Sequence, residues 1–296
     1  EAKRMMRRRD FLKHGVMAGG IAVAGLEGMP RDLLADEKKK YAQDIVTLGN
    51  TGIKVSRLAQ GTGTRGFSKS SNQTRKLGIE GLAKLLRTGV DDGLTFWDCA
   101  DSYGSHPHVR EALAGVRREK VVIMTKSWAD TEVQMKSDLD RFRKELNTEY
   151  IDILLLHCMM DADWPRKKEG AMAALTEAKA KGIVRTHGVS CHTLGALQTA
   201  AATDWVEVDL ARLNPVGAYM DADPATVVGV LKQMKAKGKG IIGMKILGQG
   251  EMRNRVDEAL QYALAQPVID CFTIGAENVA ELQDLIKRIP EASVRA

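Results

Sequence analysis

The 296-residue chain, 44% hydrophobic and 28% charged, is long enough to bury one large core or two small ones, and nothing in its composition reads as disordered. Its formal charge of +6 is local: residues 3–9, KRMMRRR, hold five basic side chains and no acidic one, so the remainder is close to neutral and lacks the basic field that nucleic-acid binding needs. The four cysteines, Cys99, Cys158, Cys191 and Cys271, form no C-x-x-C pair, which argues against a zinc site or a disulfide framework and for reduced, mostly buried thiols.

In chain order, the basic stretch runs into Arg8-Arg9-Asp10-Phe11-Leu12-Lys13 and a mildly apolar run from Gly15 to Leu26. Residues 1–30 thus resemble a twin-arginine export signal, with Arg7 where that pattern usually has Ser or Thr and no clean small-x-small cleavage site. The resemblance implies the twin-arginine export machinery as a partner and a periplasmic or other extracytoplasmic location. The apolar run falls short of the roughly 20 residues a stable membrane span takes. Residues 31–44 are polar and charged and read as a linker; the folded domain is expected over 45–296.

Two short β-like runs around Gly49-Asn50-Thr51-Gly52 predict a hairpin over Ile45–Val55. Eight apolar, β-branched runs follow, at 55–61, 94–100, 121–126, 151–158, 184–191, 206–213, 241–247 and 269–275, with helical patterns between them such as 74–90, 131–146, 168–181, 224–236, 253–265 and 277–288. Eight strands alternating with helices over about 250 residues predict an α/β fold, the closed (β/α)₈ barrel. An open doubly wound sheet is the rival, but Gly61-Thr62-Gly63 lacks the full G-x-G-x-x-G register of its dinucleotide fingerprint. A barrel places chemistry at the C-terminal ends of its strands.

Those ends carry Asp98, Lys126 and His157, with Tyr103 in the loop after Asp98. Singly, the Asp reads as a cap, the Lys as a snorkelling surface group and the His as a satisfied core residue. Together they carry complementary chemistry for reducing a carbonyl. Delivery of a hydride to carbon leaves negative charge on oxygen, which needs a proton. Tyr103 can supply it; an ammonium at Lys126, held by Asp98, is expected to lower the phenol's pKa, and His157 can donate a hydrogen bond to the carbonyl oxygen.

Asp98-x4-Tyr103, Lys126 within MTKSW and His157 within ILLLHC resemble the Asp, Tyr, Lys, His tetrad of the aldo-keto reductases, in the same order, over about residues 46–288. The resemblance implies an NAD(P)H-dependent oxidoreductase acting on an aldehyde or ketone, a small-molecule carbonyl partner, NADP or NAD as cofactor and no catalytic metal. Tyr103 is then the proton donor, Lys126 and Asp98 tune it, and His157 positions the substrate. Trp128 and Cys158 are expected to line the substrate pocket. Gly61, Thr62 and Asp98 fall beside the cofactor, Ser190 at its carboxamide, Lys245, Leu247 and Gly248 along its pyrophosphate, and Gly275, Ala276, Asn278 and Glu281 in the loop and helix after the eighth strand.

Departures from that pattern are Cys191 in place of an asparagine, Met244 in place of a stacking aromatic, and no glutamine near Leu210, with Arg212 close by. The stretch Gly275–Glu281, where the family usually grips the 2′-phosphate of NADP, holds Glu277 and Glu281 and no basic residue, so weak discrimination or a preference for NADH is expected. His106 and His108, on what reads as an irregular loop before Val109, suit a cap or rim role rather than a metal pair. The stop soon after the last helix implies a shortened C-terminal loop and an open pocket. Two other classes stay in play: a regulatory barrel that binds cofactor with little turnover, and a metal-dependent hydrolase, for which the strand ends offer a poor ligand set.

Overall fold

The computed structural model describes residues 39–294; the expected export signal and most of the linker lie outside the described residues. In chain order the strands are β1 (Ile45–Thr47), β2 (Lys54–Ser56), β3 (Leu58–Gly61), β4 (Phe96–Asp98), β5 (Val122–Ser127), β6 (Ile151–Met159), β7 (Val184–Cys191), β8 (Val208–Arg212), β9 (Gly240–Met244) and β10 (Cys271–Ile274). The helices are α1 (Asn72–Asp91), α2 (His106–Leu113), α3 (Glu132–Leu146), α4 (Trp164–Lys167), α5 (Glu169–Ala180), α6 (Leu194–Ala202), α7 (Pro224–Ala236), α8 (Val256–Ala265) and α9 (Val279–Ser293). Strands β3 to β10 close an eight-stranded parallel barrel, β10 pairing with both β9 and β3, while β1 and β2 form a separate antiparallel hairpin. This is the (β/α)₈ barrel with an N-terminal hairpin that the strand spacing predicts.

Local chemistry sets the helix starts. Ser71 with Thr74, and Thr131 with Gln134, close reciprocal capping boxes on α1 and α3. Pro107 and Pro224 sit in the first turns of α2 and α7, where a missing N–H costs nothing. His106 and His108 therefore lie in the first turn of a helix and not on an irregular loop, because Pro107 starts a helix here rather than stopping one.

The run at 55–61 is broken in two. Val55 pairs with Val46 in the hairpin, Arg57 turns the corner by donating its N–H to the Asp44 carbonyl at 2.8 Å, and the barrel strand begins at Leu58. Residues 40–44, at the end of the expected linker, are held to the barrel: the Leu58 N–H donates to the Ala42 carbonyl at 2.9 Å, Lys40 Nζ donates to the Leu264 carbonyl at 2.5 Å, and Ala42 is fully buried.

Strand periodicity sorts the side chains into two layers. Trp97, Ile123, Leu154, Leu156, Val189, Ala211 and Phe272 face the helices. Phe96, Val122, Met124, Ile153, Leu155, Val208, Leu210 and Ile242 fill the interior above a floor of Leu48, Ile53 and Val55 from the hairpin and its turn. Stepping on by two from those inner positions arrives at Asp98, Lys126, His157 and Arg212, so the same alternation that packs the core carries polar groups to one mouth. No helix among the described residues is long and apolar enough to cross a membrane.

Candidate active site

Lys126 is fully buried, and its ammonium is satisfied on two sides: it donates to Asp98 Oδ1 at 2.5 Å and to the Cys99 carbonyl at 2.8 Å. The other Asp98 oxygen accepts from Thr273 Oγ1 at 2.9 Å, across the seam where the barrel closes. Burial works to depress Lys126, but the Asp98 carboxylate and the Tyr103 phenol outweigh it and push its pKa up to about 12. The ammonium stands 4.8 Å from the centroid of the Tyr103 ring, and His157 meets that ring edge-on, centroids 5.7 Å apart. His157 Nδ1 makes a long 3.4 Å contact with the Ser102 hydroxyl, and Trp128, 45% exposed on the rim, lies 5.1 Å from the imidazole between ring centroids. Burial, and after it the Lys126 charge, hold the His157 pKa well below 6.5, so the ring is neutral at physiological pH. The four tetrad residues, with Trp128, are thus gathered in one place.

The expected depression of the Tyr103 pKa is not what this structure gives. Lys126 does pull it down, but burial of the phenol is the larger effect and leaves it above 10. The reason lies in a loop whose part sequence reasoning missed. Tyr103 ends a 3-10 turn, Asp101–Tyr103, and is roofed by the segment after β3. A Cβ on Gly63 would come within 2.2 Å of the Tyr103 ring and one on Gly66 within 2.3 Å, so the two glycines let the backbone lie flat on the phenol. The roof is tied down by the Lys69 N–H donating to the Ser102 carbonyl at 2.8 Å and by a Lys69–Asp101 ion pair. The G-x-x-G spacing of Gly63 and Gly66 was the available signal.

The residues expected around a cofactor divide. Ser190 is buried inside the barrel, its hydroxyl accepting from the Cys158 N–H at 2.9 Å, and Met244 closes the inner face of β9. Lys245 is half-buried with a left-handed φ of 55°, has no ion-pair partner among the described residues, and burial together with Arg212 lowers its pKa to about 8. Leu247 and Gly248 follow it in a tight turn, the Gly248 N–H donating to the Lys245 carbonyl at 2.8 Å. Arg212 is ion-paired with Asp221, which leaves it no equivalent of the missing glutamine. Cys191 is turned out of the mouth into the helix-facing layer, its thiol against the buried Asp209, because it falls one residue out of phase with Ser190. Thr62 is fully buried, its hydroxyl donating to the Asp98 carbonyl at 2.9 Å, so it braces β4 rather than facing a ligand.

Beyond β10, Gly61 and Gly275 approach so closely that a Cβ on Gly61 would lie 3.2 Å from the Gly275 nitrogen. Ala276 is buried beside them. Asn278 and Glu281 are spent on the α9 cap: Asn278 Oδ1 accepts from the Glu281 N–H at 2.8 Å and Glu281 Oε2 from the Glu277 N–H at 2.7 Å. Glu277 is not an uncompensated acid, since Lys76 of α1 pairs with it and the Arg65 charge also reaches it. The basic side chains absent from the local sequence arrive from the other end of the chain.

His106 is clamped between Glu145 Oε2 at 2.6 Å and Thr125 Oγ1 at 2.8 Å. His106, Glu145 and Asp101 form the one group of metal-ligating side chains among the described residues, but Arg141 already bridges Asp101 at 2.6 Å and Glu145 at 3.0 Å, so a cation is built in.

The aldo/keto reductase family model matches residues 61–259, a span that takes in the buried Lys126–Asp98 pair and Tyr103, and the chain belongs to that family. Among curated proteins it is similar to the methylglyoxal reductase DkgB of Salmonella typhi, 30% identical over 137 residues that make up 44% of this chain and 51% of that protein. The aldo-keto reductase YhdN of Bacillus subtilis is 26% identical over 176 residues, 54% of this chain and 50% of the relative. The chain thus spans about half the length of the curated relatives it matches. In fold it resembles the crystal structure of an aldo-keto reductase from Pseudomonas aeruginosa, with a TM-score of 0.70 at 22% identity over 86% of this chain and 98% of that one. It also resembles the holo form of an aldo-keto reductase from Bacillus halodurans, with a TM-score of 0.67 at 17% identity over 83% and 90% of the two chains.

Proposed function

We propose that this protein reduces an aldehyde or ketone to an alcohol, or runs the reverse, with a nicotinamide dinucleotide as hydride source. The observation that carries the reading is the buried Lys126–Asp98 pair beneath the Tyr103 ring, with neutral His157 against the ring's edge. Neutral His157 donates its Nε2 proton to the carbonyl oxygen while Nδ1 accepts from Ser102, and Tyr103 transfers its phenolic proton to that oxygen as charge develops. Lys126, locked by Asp98, stays an ammonium throughout and stabilises the phenolate left behind. Trp128 and Cys158 flank the entrance. The half-buried, unpaired Lys245 fits an anionic group such as the cofactor pyrophosphate, with Ser190 and Met244 at the nicotinamide end. A reduced nicotinamide dinucleotide, when bound there, supplies the hydride.

The direct test is loss of nicotinamide absorbance when purified protein is given methylglyoxal, the substrate named for the Salmonella relative. Reduced cofactor that binds but is never oxidised with any aldehyde would point to a regulatory barrel instead. Because Lys76 and Arg65 offset Glu277, both cofactors are expected to bind, and Glu277→Lys to shift preference toward NADPH. Dissociation constants decide this: wild-type NADPH binding more than ~100-fold tighter than NADH, a difference of about 2.7 kcal/mol, would overturn weak discrimination.

The export reading rests on Arg8-Arg9 ahead of the apolar run. Exchanging both for Lys is expected to hold the protein in the cytoplasm in cell fractionation; unchanged distribution would reduce residues 1–30 to a basic tail.

A further inference from the structure

The pattern Asp98-x4-Tyr103 passes over Asp101, which the reduction mechanism leaves unused although it opens the turn that ends in Tyr103. Its Oδ1 holds cations from two elements: Arg141 of α3 donates to it at 2.6 Å, and Lys69 of the roof pairs with it. Burial works to raise this carboxyl, but Arg141 and Lys69 outweigh it and hold its pKa below the ordinary aspartate value, so it is ionised at neutral pH. Arg141 is anchored in turn on Asp138 at 2.7 Å and Glu145 at 3.0 Å, which gives the carboxylate a fixed support. The roof needs such a hold. Arg65, Ser68 and Lys69 have left-handed φ of 51°, 50° and 61°, a conformation that non-glycine residues keep where their surroundings enforce it. Phe67, 72% exposed, exchanges backbone hydrogen bonds with Ser70 inside the roof. Among the described residues, the hydrogen bonds and ion pairs tying Gly66 to Lys69 to the rest of the fold all come from Lys69, through its N–H to Ser102 and its ammonium to Asp101. Gly104 lets Lys69 come close, since a Cβ there would lie 2.1 Å from the Lys69 carbonyl.

We infer that Asp101 is a positioning residue for the reduction: paired with Lys69 and braced by Arg141, it clamps the roof onto Tyr103 and keeps water off the phenol that gives up the proton. The charged or titratable groups facing Tyr103 are Lys126 of β5, Asp98 of β4 with Cys99 after it, and His157 of β6, while the roof meets the ring with Gly63 and Gly66. The roof is the part of this surround that Asp101 holds. Under the closed roof the phenol keeps its proton in spite of the nearby ammonium and surrenders it to an oxygen that is gaining charge. This role rests on Tyr103 as the proton donor, yet the clamp itself is measurable without turnover.

Two measurements test the clamp: tyrosinate absorbance against pH, taken as the difference from the same protein carrying Tyr103→Phe, and the rate of tryptic cleavage after Arg65. Asp101→Asn should lower the Tyr103 midpoint by at least ~0.5 pH unit and speed that cleavage at least ~5-fold, as the roof opens and water reaches the ring. Lys69→Met, at a side chain 57% exposed, should do the same. Its sign separates the clamp from a plain charge effect, because removing an ammonium raises a nearby phenol's pKa whereas lifting the roof lowers it. A midpoint in Lys69→Met that is unchanged or higher, or cleavage at the wild-type rate in both variants, overturns the inference. If Asp101→Asn is cleaved along its whole length it has unfolded, and Lys69→Met then decides alone. Both shifts in a protein that oxidises no reduced nicotinamide would keep the clamp and remove the reductase reading; turnover with neither shift would do the reverse.

Discussion

Tyr103→Phe is expected to lower turnover at least ~10²-fold while leaving reduced-cofactor binding nearly unchanged. No neighbour can stand in as the acid. Lys126 is pushed up to about 12 and both its close partners, Asp98 and the Cys99 carbonyl, favour the ammonium. His157 is held neutral by burial, and a neutral imidazole surrenders its proton far less readily than a phenol relieved by an adjacent cation. Phenylalanine retains the ring that Gly63, Gly66 and His157 pack against, so the substitution removes the hydroxyl and little else. Because Tyr103 must be protonated to act in reduction and burial raises its pKa, the wild-type rate should hold from neutral pH up to about 10 and fall only beyond it. Steady-state turnover and nicotinamide fluorescence measure the two halves; a mutant within ~10-fold of wild type would remove Tyr103 from the proton path.

Lys126→Met should cost both activity and stability. It leaves Asp98, only 5% exposed, charged with no counter-ion, and breaking a buried pair in this way typically costs ~3–5 kcal/mol. Adding Asp98→Asn removes the stranded charge and keeps an acceptor for Thr273, so the double variant should regain at least half of the lost stability in urea unfolding. Turnover should stay near that of the single mutant, since the phenol has lost its cation in both. A single variant as stable as wild type would mean that the pair lies in a wetter place than its burial indicates.

These outcomes depend on residues whose placement was legible because strand periodicity is a local rule. Once eight apolar runs are recognised, Asp98, Lys126 and His157 follow as inward positions at strand ends, and tertiary structure adds only their distances. What stayed illegible was set by chain segments far apart. Arg57 looks like one more strand residue until Asp44 takes its N–H. Glu277 looks like a bare carboxylate until Lys76, 201 residues earlier, pairs with it. Cys191 is a different case: it neighbours Ser190 in a motif but lies opposite it on the pleat, which the local two-residue period of the strand already implies. The sign of the Tyr103 shift required knowing that Gly63 and Gly66 cover the ring, because the ammonium's pull is visible in sequence and the desolvation opposing it is not.

The bond from Thr273 to Asp98 joins residues 175 positions apart, on the last and second strands of the barrel. A growing chain therefore has Tyr103, Lys126 and His157 long before it has the hydroxyl that steadies their carboxylate, and before β10 arrives the barrel is an open sheet with two unpaired edges. Catalytic competence on this scaffold belongs to the finished polypeptide, and a nascent fragment that has emerged only as far as β9 holds the reactive side chains without the enclosure that tunes them.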